Sequence, residues 1–179
     1  QGEKLHDVEC GGSRGLDMTY GIRGSVAPNL LVAHWIDEGG QLRSPLNLTE
    51  LGSRHRVLFF YQHWCSGCHS HGFPTLLALI AGTKAGDVGF AVVQTVFEGA
   101  EVNTPDQLVE DQKRYGLHIP FGHDAISTDG RHPTTMVNYR TGGTPWFVVI
   151  DPAGMVIENG FSFDANKLLT VLGKPPQLC

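Results

Sequence analysis

Apolar residues along the chain fall into short blocks separated by breaks rich in glycine and proline, and each block predicts an element. Leu30 to Ile36 is apolar and predicts a first strand. It is closed by the turn Asp37-Glu38-Gly39-Gly40, where glycine takes positive φ at little cost. Asn47 to Leu51 predicts one short helical turn. Val57-Leu58-Phe59-Phe60-Tyr61 has no charged position and reads as a buried strand. Val88 to Phe97, rich in β-branched and aromatic residues, reads as a central one. Between them Phe73 to Ala81 is apolar and uncharged, as a packed helix is. Thr104-Pro105-Asp106-Gln107 predicts a helix start, with Thr104 as cap, Pro105 at the first helical position and Gln107 completing a capping box; the helix ends near Tyr115-Gly116. Ile119-Pro120-Phe121 is a brief apolar stretch, and Pro133 to Arg140 predicts a short helix. Trp146 to Ile150 and Met155 to Glu158, joined by Asp151-Pro152-Ala153-Gly154, give a strand–turn–strand signal. Asp164 caps a last helix that runs through Leu172 and is stopped by Gly173 and Pro175.

Strands alternating with helices, then a hairpin and a final helix, indicate an α/β protein. The expected architecture is a mixed central sheet with helices on both faces, a parallel pair inside it and an antiparallel edge. A chain of 179 residues suits one domain with a sizeable core. Residues 1–21 are glycine-rich without a clear period and are expected to form an irregular N-terminal arm, leaving 22–179 as the domain. Trp35, Phe59, Phe60, Phe90 and Phe147 are core candidates, while Asp124 and the Asp129-Gly130 pair are expected in turns. A net charge of −5 offers nothing to nucleic acid or to an anionic membrane. No apolar run approaches the roughly 18–20 residues of a membrane span, and no signal-peptide pattern opens the chain. Because the chain starts at Gln1 without Met, it reads as a processed or trimmed form. Paired carboxylates, a glycine-rich phosphate loop and a Ser-His-Asp order are all missing, so hydrolase and nucleotide chemistry find no support.

The chemistry concentrates in His63-Trp64-Cys65-Ser66-Gly67-Cys68-His69. Two cysteines at C-x-x-C spacing follow a buried strand and open a helix. Helix N-terminal N–H groups and the helix dipole stabilise a thiolate, which makes the first cysteine a nucleophile near neutral pH. The second, one turn on, can attack a mixed disulfide and release the product. Trp64 and Trp146 are candidates for an apolar rim around a substrate peptide, or simply for packing. His63, His69 and His71 flank the thiols and admit three readings. An imidazole tunes the thiolate of Cys65, with His63 and His69 the candidates; or the thiols with His69 and His71 bind Cu(I) or Zn(II); or the three histidines are surface residues. Cys10 and Cys179, near the two ends, are either unrelated free thiols or a bridge from arm to tail that would imply an oxidising compartment.

Four segments in order make the chain similar to thioredoxin-fold oxidoreductases, and more narrowly to the TlpA/ResA-like redoxin group. Gly24-Ser25-Val26-Ala27-Pro28 resembles the G-x-x-A-P segment of redoxins, and Trp64-Cys65-Ser66-Gly67-Cys68 their W-C-x-x-C active site. Thr144-Pro145 resembles the cis-proline position, and Val149-Ile150-Asp151-Pro152-Ala153-Gly154 the start of the hairpin after it. The resemblance covers about residues 22–173. It implies that Cys65 is the exposed attacking thiol and Cys68 the buried resolving one. Pro145 would face the disulfide, leaving the Thr144 backbone to pair with an extended substrate peptide. It further implies protein thiol or disulfide substrates, a partner redox protein that regenerates the site, a monomer, no organic cofactor and no metal. The setting implied is extracytoplasmic, in a bacterial periplasm, either free or membrane-tethered.

The chain departs from that pattern in places. Thioredoxin has a buried Asp six positions before its first cysteine, where Phe59 stands here. TlpA-like proteins often carry an acid shortly after the second cysteine; here the sequence is His69-Ser70-His71-Gly72. The proline of this helix, Pro74, falls one position late. Copper chaperones of the SCO type place three residues between their cysteines and add a distant histidine; this chain has two, and no histidine in Thr141 to Pro145. The P-x-x-x-T-x-x-C signature of peroxiredoxins is absent, since Leu58 and Gln62 precede Cys65 at those positions. The main reading is therefore a thiol–disulfide oxidoreductase, and the alternative is a metal-binding or metal-delivery protein using the same thiols with His69 and His71.

Overall fold

A computed structural model describes residues 19–161 and 163–174. The chain forms β1 (His34–Ile36), β2 (Leu42–Arg43), a 3₁₀ turn (Leu48–Leu51), β3 (His55–Tyr61), α1 (Phe73–Ala81), β4 (Val88–Thr95), α2 (Gln107–Arg114), β5 (Phe121–Asp124), α3 (Thr134–Asn138), β6 (Trp146–Ile150), β7 (Val156–Gly160) and α4 (Ala165–Val171). All seven strands join one sheet in the order β2-β1-β5-β4-β3-β6-β7. The three central strands β3, β4 and β5 are parallel, whereas β6 and β7 on one side and β1 and β2 on the other run antiparallel.

The period of two in a strand sorts its side chains between the two faces of the sheet. In β3, Val57, Phe59 and Tyr61 enter a core with α1, α2 and α4, where Phe73, Leu76, Leu108 and Leu168 meet them. Leu58 and Phe60 enter a second core on the opposite face, with Trp35, Leu48, Tyr139 and Trp146. The uncharged run from Val57 to Tyr61 is thus explained by burial on both sides. The redoxin-like segment lies along the β7 hairpin: Gly24 and Ala27 donate to the carbonyls of Val156 and Gly154 at 2.8 and 2.9 Å. Asn47 caps the 3₁₀ turn in a capping box with Glu50, and Asp164 caps α4 through the Asn166 N–H.

Several expectations from the sequence change. The first strand shrinks to His34–Ile36, because its neighbours are short: it pairs with Phe121, Gly122 and His123 of β5 on one side and with Leu42 and Arg43 of β2 on the other. Leu30 and Val32 are buried without belonging to it. The capping box at Thr104 and Gln107 does not form: α2 begins at Gln107, whose N–H donates to the Thr104 carbonyl at 3.1 Å. The Gln107 Oε1 is buried without a partner among the described residues. Asp124 is not in a turn but ends β5, buried, and accepts from the Met136 N–H at 3.3 Å. Burial holds its carboxyl up at about 7. Asp129-Gly130 does form a turn, in which Gly130 donates to the Ser127 carbonyl at 2.9 Å. Cys10 and Cys179, and most of the expected arm, lie outside the described residues.

Candidate active site

Helical backbone begins at Ser66, directly after Cys65, passes through a π-helical turn at Cys68–Gly72 and continues into α1. Cys65 occupies the place of an N-terminal cap. Its Sγ accepts from the Cys68 N–H at 3.2 Å, and that same N–H also reaches the Cys65 carbonyl at 3.1 Å. A sulfur in the place of the usual capping oxygen thereby receives one of the helix's orphan donors. Both thiols are free; Cys65 is half-buried and Cys68 is fully buried.

The hydrogen bond between the two sulfurs, with the deeper burial of Cys68, drives the acidities of the two thiols apart. The Cys68 thiol donates to Cys65, and with the backbone N–H groups of Cys68 and Gly67 it holds the Cys65 thiol down at about 6. The same hydrogen bond, with burial and the neighbouring Cys65 charge, pushes Cys68 far up. Cys65 is the thiolate and Cys68 the thiol.

The Thr144–Pro145 peptide is cis, and the Thr144 carbonyl oxygen lies 3.8 Å from Cys65 Sγ. Pro145 packs on the active-site helix where that helix has no side chain: a Cβ on Gly67 would stand 3.6 Å from Pro145 Cδ, and one on Gly72 3.0 Å from Pro145 Cβ. Cys65 opens onto a cleft of about 540 Å³ lined by Trp64, Phe97, Gly143, Thr144 and Phe161. Trp64 is 51% exposed; its indole N–H donates to Gln62 Oε1 at 3.0 Å and its backbone N–H to Asn103 Oδ1 at 3.3 Å.

Three candidates are placed differently from the sequence reading. Trp146 does not border the cleft: it is buried in the second core and supports Phe161, with ring centroids 4.8 Å apart. The alternation of β6 decides this, because Trp146 shares a face with Val148 and Ile150. His63 and His69 direct their hydrogen bonds away from Cys65. His63 Nδ1–H donates to Asp111 Oδ2 at 2.9 Å. His69 Nε2–H donates to the His63 carbonyl at 2.6 Å, which leaves Nδ1 to accept from the Tyr115 hydroxyl at 2.5 Å. His71 is exposed and bonds only its neighbour Ser70.

Asp111 is the residue the sequence reading missed. It comes from α2, is fully buried, and accepts from the Tyr61 hydroxyl at 2.9 Å as well as from His63. Burial, with the Asp111 charge beside it, pushes the Tyr61 phenol well up, so Tyr61 stays a donor. His63, His69 and Asp111 offer three ligand atoms within 4.8 Å of one another, a set that contains neither thiol nor His71. The signal was present in the spacing. Asp111 and Tyr115 follow Leu108 by three and seven residues, on the face that Leu108 buries.

A half-exposed thiolate capping a helix, a buried thiol one turn on, and a cis-proline loop against both define the class of thiol–disulfide oxidoreductases of thioredoxin-like fold. Neither a family model nor a curated protein sequence matches the chain. Solved structures do match. A crystal structure of a thioredoxin-like superfamily protein is 30% identical, with a TM-score of 0.72, over 85% of this chain and 99% of that one. A thiol-disulfide isomerase from Corynebacterium glutamicum is 28% identical, with a TM-score of 0.71, over 82% and 94% of the two chains. A secreted disulfide oxidoreductase of Mycobacterium tuberculosis shares the fold at a TM-score of 0.54 and 19% identity, over 78% and 93%. The chain belongs to the thioredoxin-like superfamily.

Proposed function

We propose that the protein exchanges disulfides with protein substrates, with Cys65 as attacking thiolate and Cys68 as resolving thiol. The observation that carries this is the geometry of the pair: Cys65 faces the cleft with its Sγ accepting from the Cys68 N–H at 3.2 Å, while Cys68 is fully buried behind it. Cys65 attacks one sulfur of a substrate disulfide, forming a Cys65–substrate disulfide and releasing the other substrate sulfur as thiolate. Cys68 then gives up its proton and attacks Cys65 Sγ. The second substrate thiol leaves, and the Cys65–Cys68 disulfide remains. The substrate is reduced by two electrons and the protein oxidised by two; the reverse sequence oxidises a dithiol substrate.

The Thr144 backbone beside Pro145 is where an extended peptide pairs, and Trp64 forms part of the rim. A thiol-disulfide isomerase is among the structures similar to this one, which supports the same chemistry here. The TlpA/ResA-like resemblance adds an extracytoplasmic setting and a partner redox protein that resets the pair to this reading. The test is trapping. Cys68→Ser should accumulate a mixed disulfide with a disulfide-bonded protein substrate, seen as a mass adduct that reductant removes. Cys65→Ser should accumulate none. Equal adducts on both variants would refute the assigned roles.

A further inference from the structure

We propose that His63, His69 and Asp111 form a Zn(II) site beside the dithiol that does not use its sulfurs. The three donor atoms already lie within 4.8 Å of one another. Zinc bonds of about 2.0–2.2 Å put neighbouring donors of a tetrahedron roughly 3.3 Å apart, so side-chain rotation alone can close the set. Two imidazoles and a carboxylate suit a borderline ion, and three protein ligands leave a fourth position for water.

A second, independent observation points to the ligand. Asp111 is 0% exposed, and its Oδ1 is buried with no hydrogen-bond partner among the described residues. A buried carboxylate oxygen without a protein donor is costly. One imidazole N–H and one phenol, both on Oδ2, are its only partners among the described residues. A dication supplies the missing charge and can engage either oxygen. For Zn(II) to bind at His63 Nδ1, the proton that Nδ1 directs at Asp111 moves to Nε2 by tautomer exchange, so the imidazole ligates as a neutral group.

The surroundings are those of a ligand set held in place. Tyr61 donates to Asp111, and the His63 carbonyl takes the His69 Nε2–H at 2.6 Å. A backbone carbonyl on the far nitrogen of an imidazole fixes its tautomer and leaves Nδ1 free to ligate. The cost is local: His69 gives up the Tyr115 hydroxyl. In sequence, His63 and His69 bracket Cys65 and Cys68, while Asp111 belongs to α2. A bound ion therefore fastens the redox segment to α2.

The test uses the full chain with Cys10, Cys65, Cys68 and Cys179 all changed to Ser, titrated with Zn(II) against a chromophoric chelator. One equivalent should bind. Asp111→Asn and His69→Gln, each added to that background, should weaken binding at least about tenfold, the lower bound for disturbing even an outer partner of a zinc ligand. His71→Gln should not change it. Should Asp111→Asn fail to fold by circular dichroism, His63→Gln, which alters a partly exposed residue in a loop, takes its place. Should the cysteine-free chain fail to fold, the first equivalent of Co(II) added to the native chain should show d–d bands without a sulfur-to-metal charge-transfer band. The proposal is overturned by no binding, by binding that a folded ligand variant retains in full, or by a sulfur band at the first equivalent. The trapping experiment above is independent of every one of these results.

Discussion

Cys65 draws most of its reactivity from Cys68, helped by the Gly67 N–H. The Cys68 N–H reaches its sulfur at 3.2 Å, and the Cys68 thiol hydrogen-bonds it as well. In an unfolded chain a cysteine titrates near about 8.5, whereas here the thiol is held at about 6. Because the folded value is the lower one, folding favours the thiolate. The resulting stabilisation is complete above the unfolded value and is lost as pH falls through about 6. Alkylation of Cys65 by iodoacetamide should follow the same titration, half-maximal near pH 6 and flat above pH 8. A rate still climbing through pH 8.5 would show that these hydrogen bonds do not hold the charge. The C-x-x-C spacing and the helix after it made this much of the site legible in the sequence. The histidines were read less well. Three imidazoles flanking a thiol suggested contact with it, but spacing along the chain does not fix ring direction, and a buried carboxylate 48 residues past His63 took the nearest one.

At the scale of elements, the redox segment and the proline loop fit together through missing side chains. Gly72 lies where the π turn passes under Phe59 and Pro145, and a Cβ there would come within 2.6 Å of Phe59 Cζ. That ring cannot swing aside, since Phe73 and Phe147 pack against it at 5.1 and 4.7 Å. Gly72→Ala would gain up to about 1 kcal/mol of helix propensity, yet overpacking a rigid core costs about 1–3 kcal/mol or more. Overpacking wins. The variant should lose about 1–2 kcal/mol in urea unfolding, and Cys65 alkylation should change as Pro145 is displaced. Unchanged stability would mean that the loop is free to retreat. The sequence read α1 well because its apolar run is uninterrupted. It misread the start of α2, where Thr104-Pro105-Asp106-Gln107 has the residues of a capping box but the helix takes Gln107 as its first residue. Asp111 stayed hidden in that helix because Gln-Leu-Val-Glu-Asp-Gln-Lys-Arg looks like a solvated face. Only the three-residue step from Leu108 betrays it.

Across the whole molecule, the order of elements was legible from Asn47 to Leu172 except at β5. Strand β1 was expected within a longer Leu30 to Ile36, but β5 and β2 were not, since strands of two to four residues carry too little alternation to announce themselves. The same view sets the three tryptophans apart. Trp35 and Trp146, both in the second core, are 0% and 3% exposed, while Trp64 is 51% exposed next to the reactive sulfur. Light gives this arrangement a use that chemistry alone does not. Excited together, the three indoles should emit as two populations, a blue-shifted pair sealed from solvent and one red-shifted emitter that acrylamide can reach. Replacing that emitter in Trp64→Phe should abolish most of the quenchable intensity and leave the sealed fraction nearly untouched; a variant as quenchable as the parent would contradict the packing described. A peptide settling into the cleft would screen the same indole, so the protein carries its own optical gauge of occupancy at the mouth of its active site.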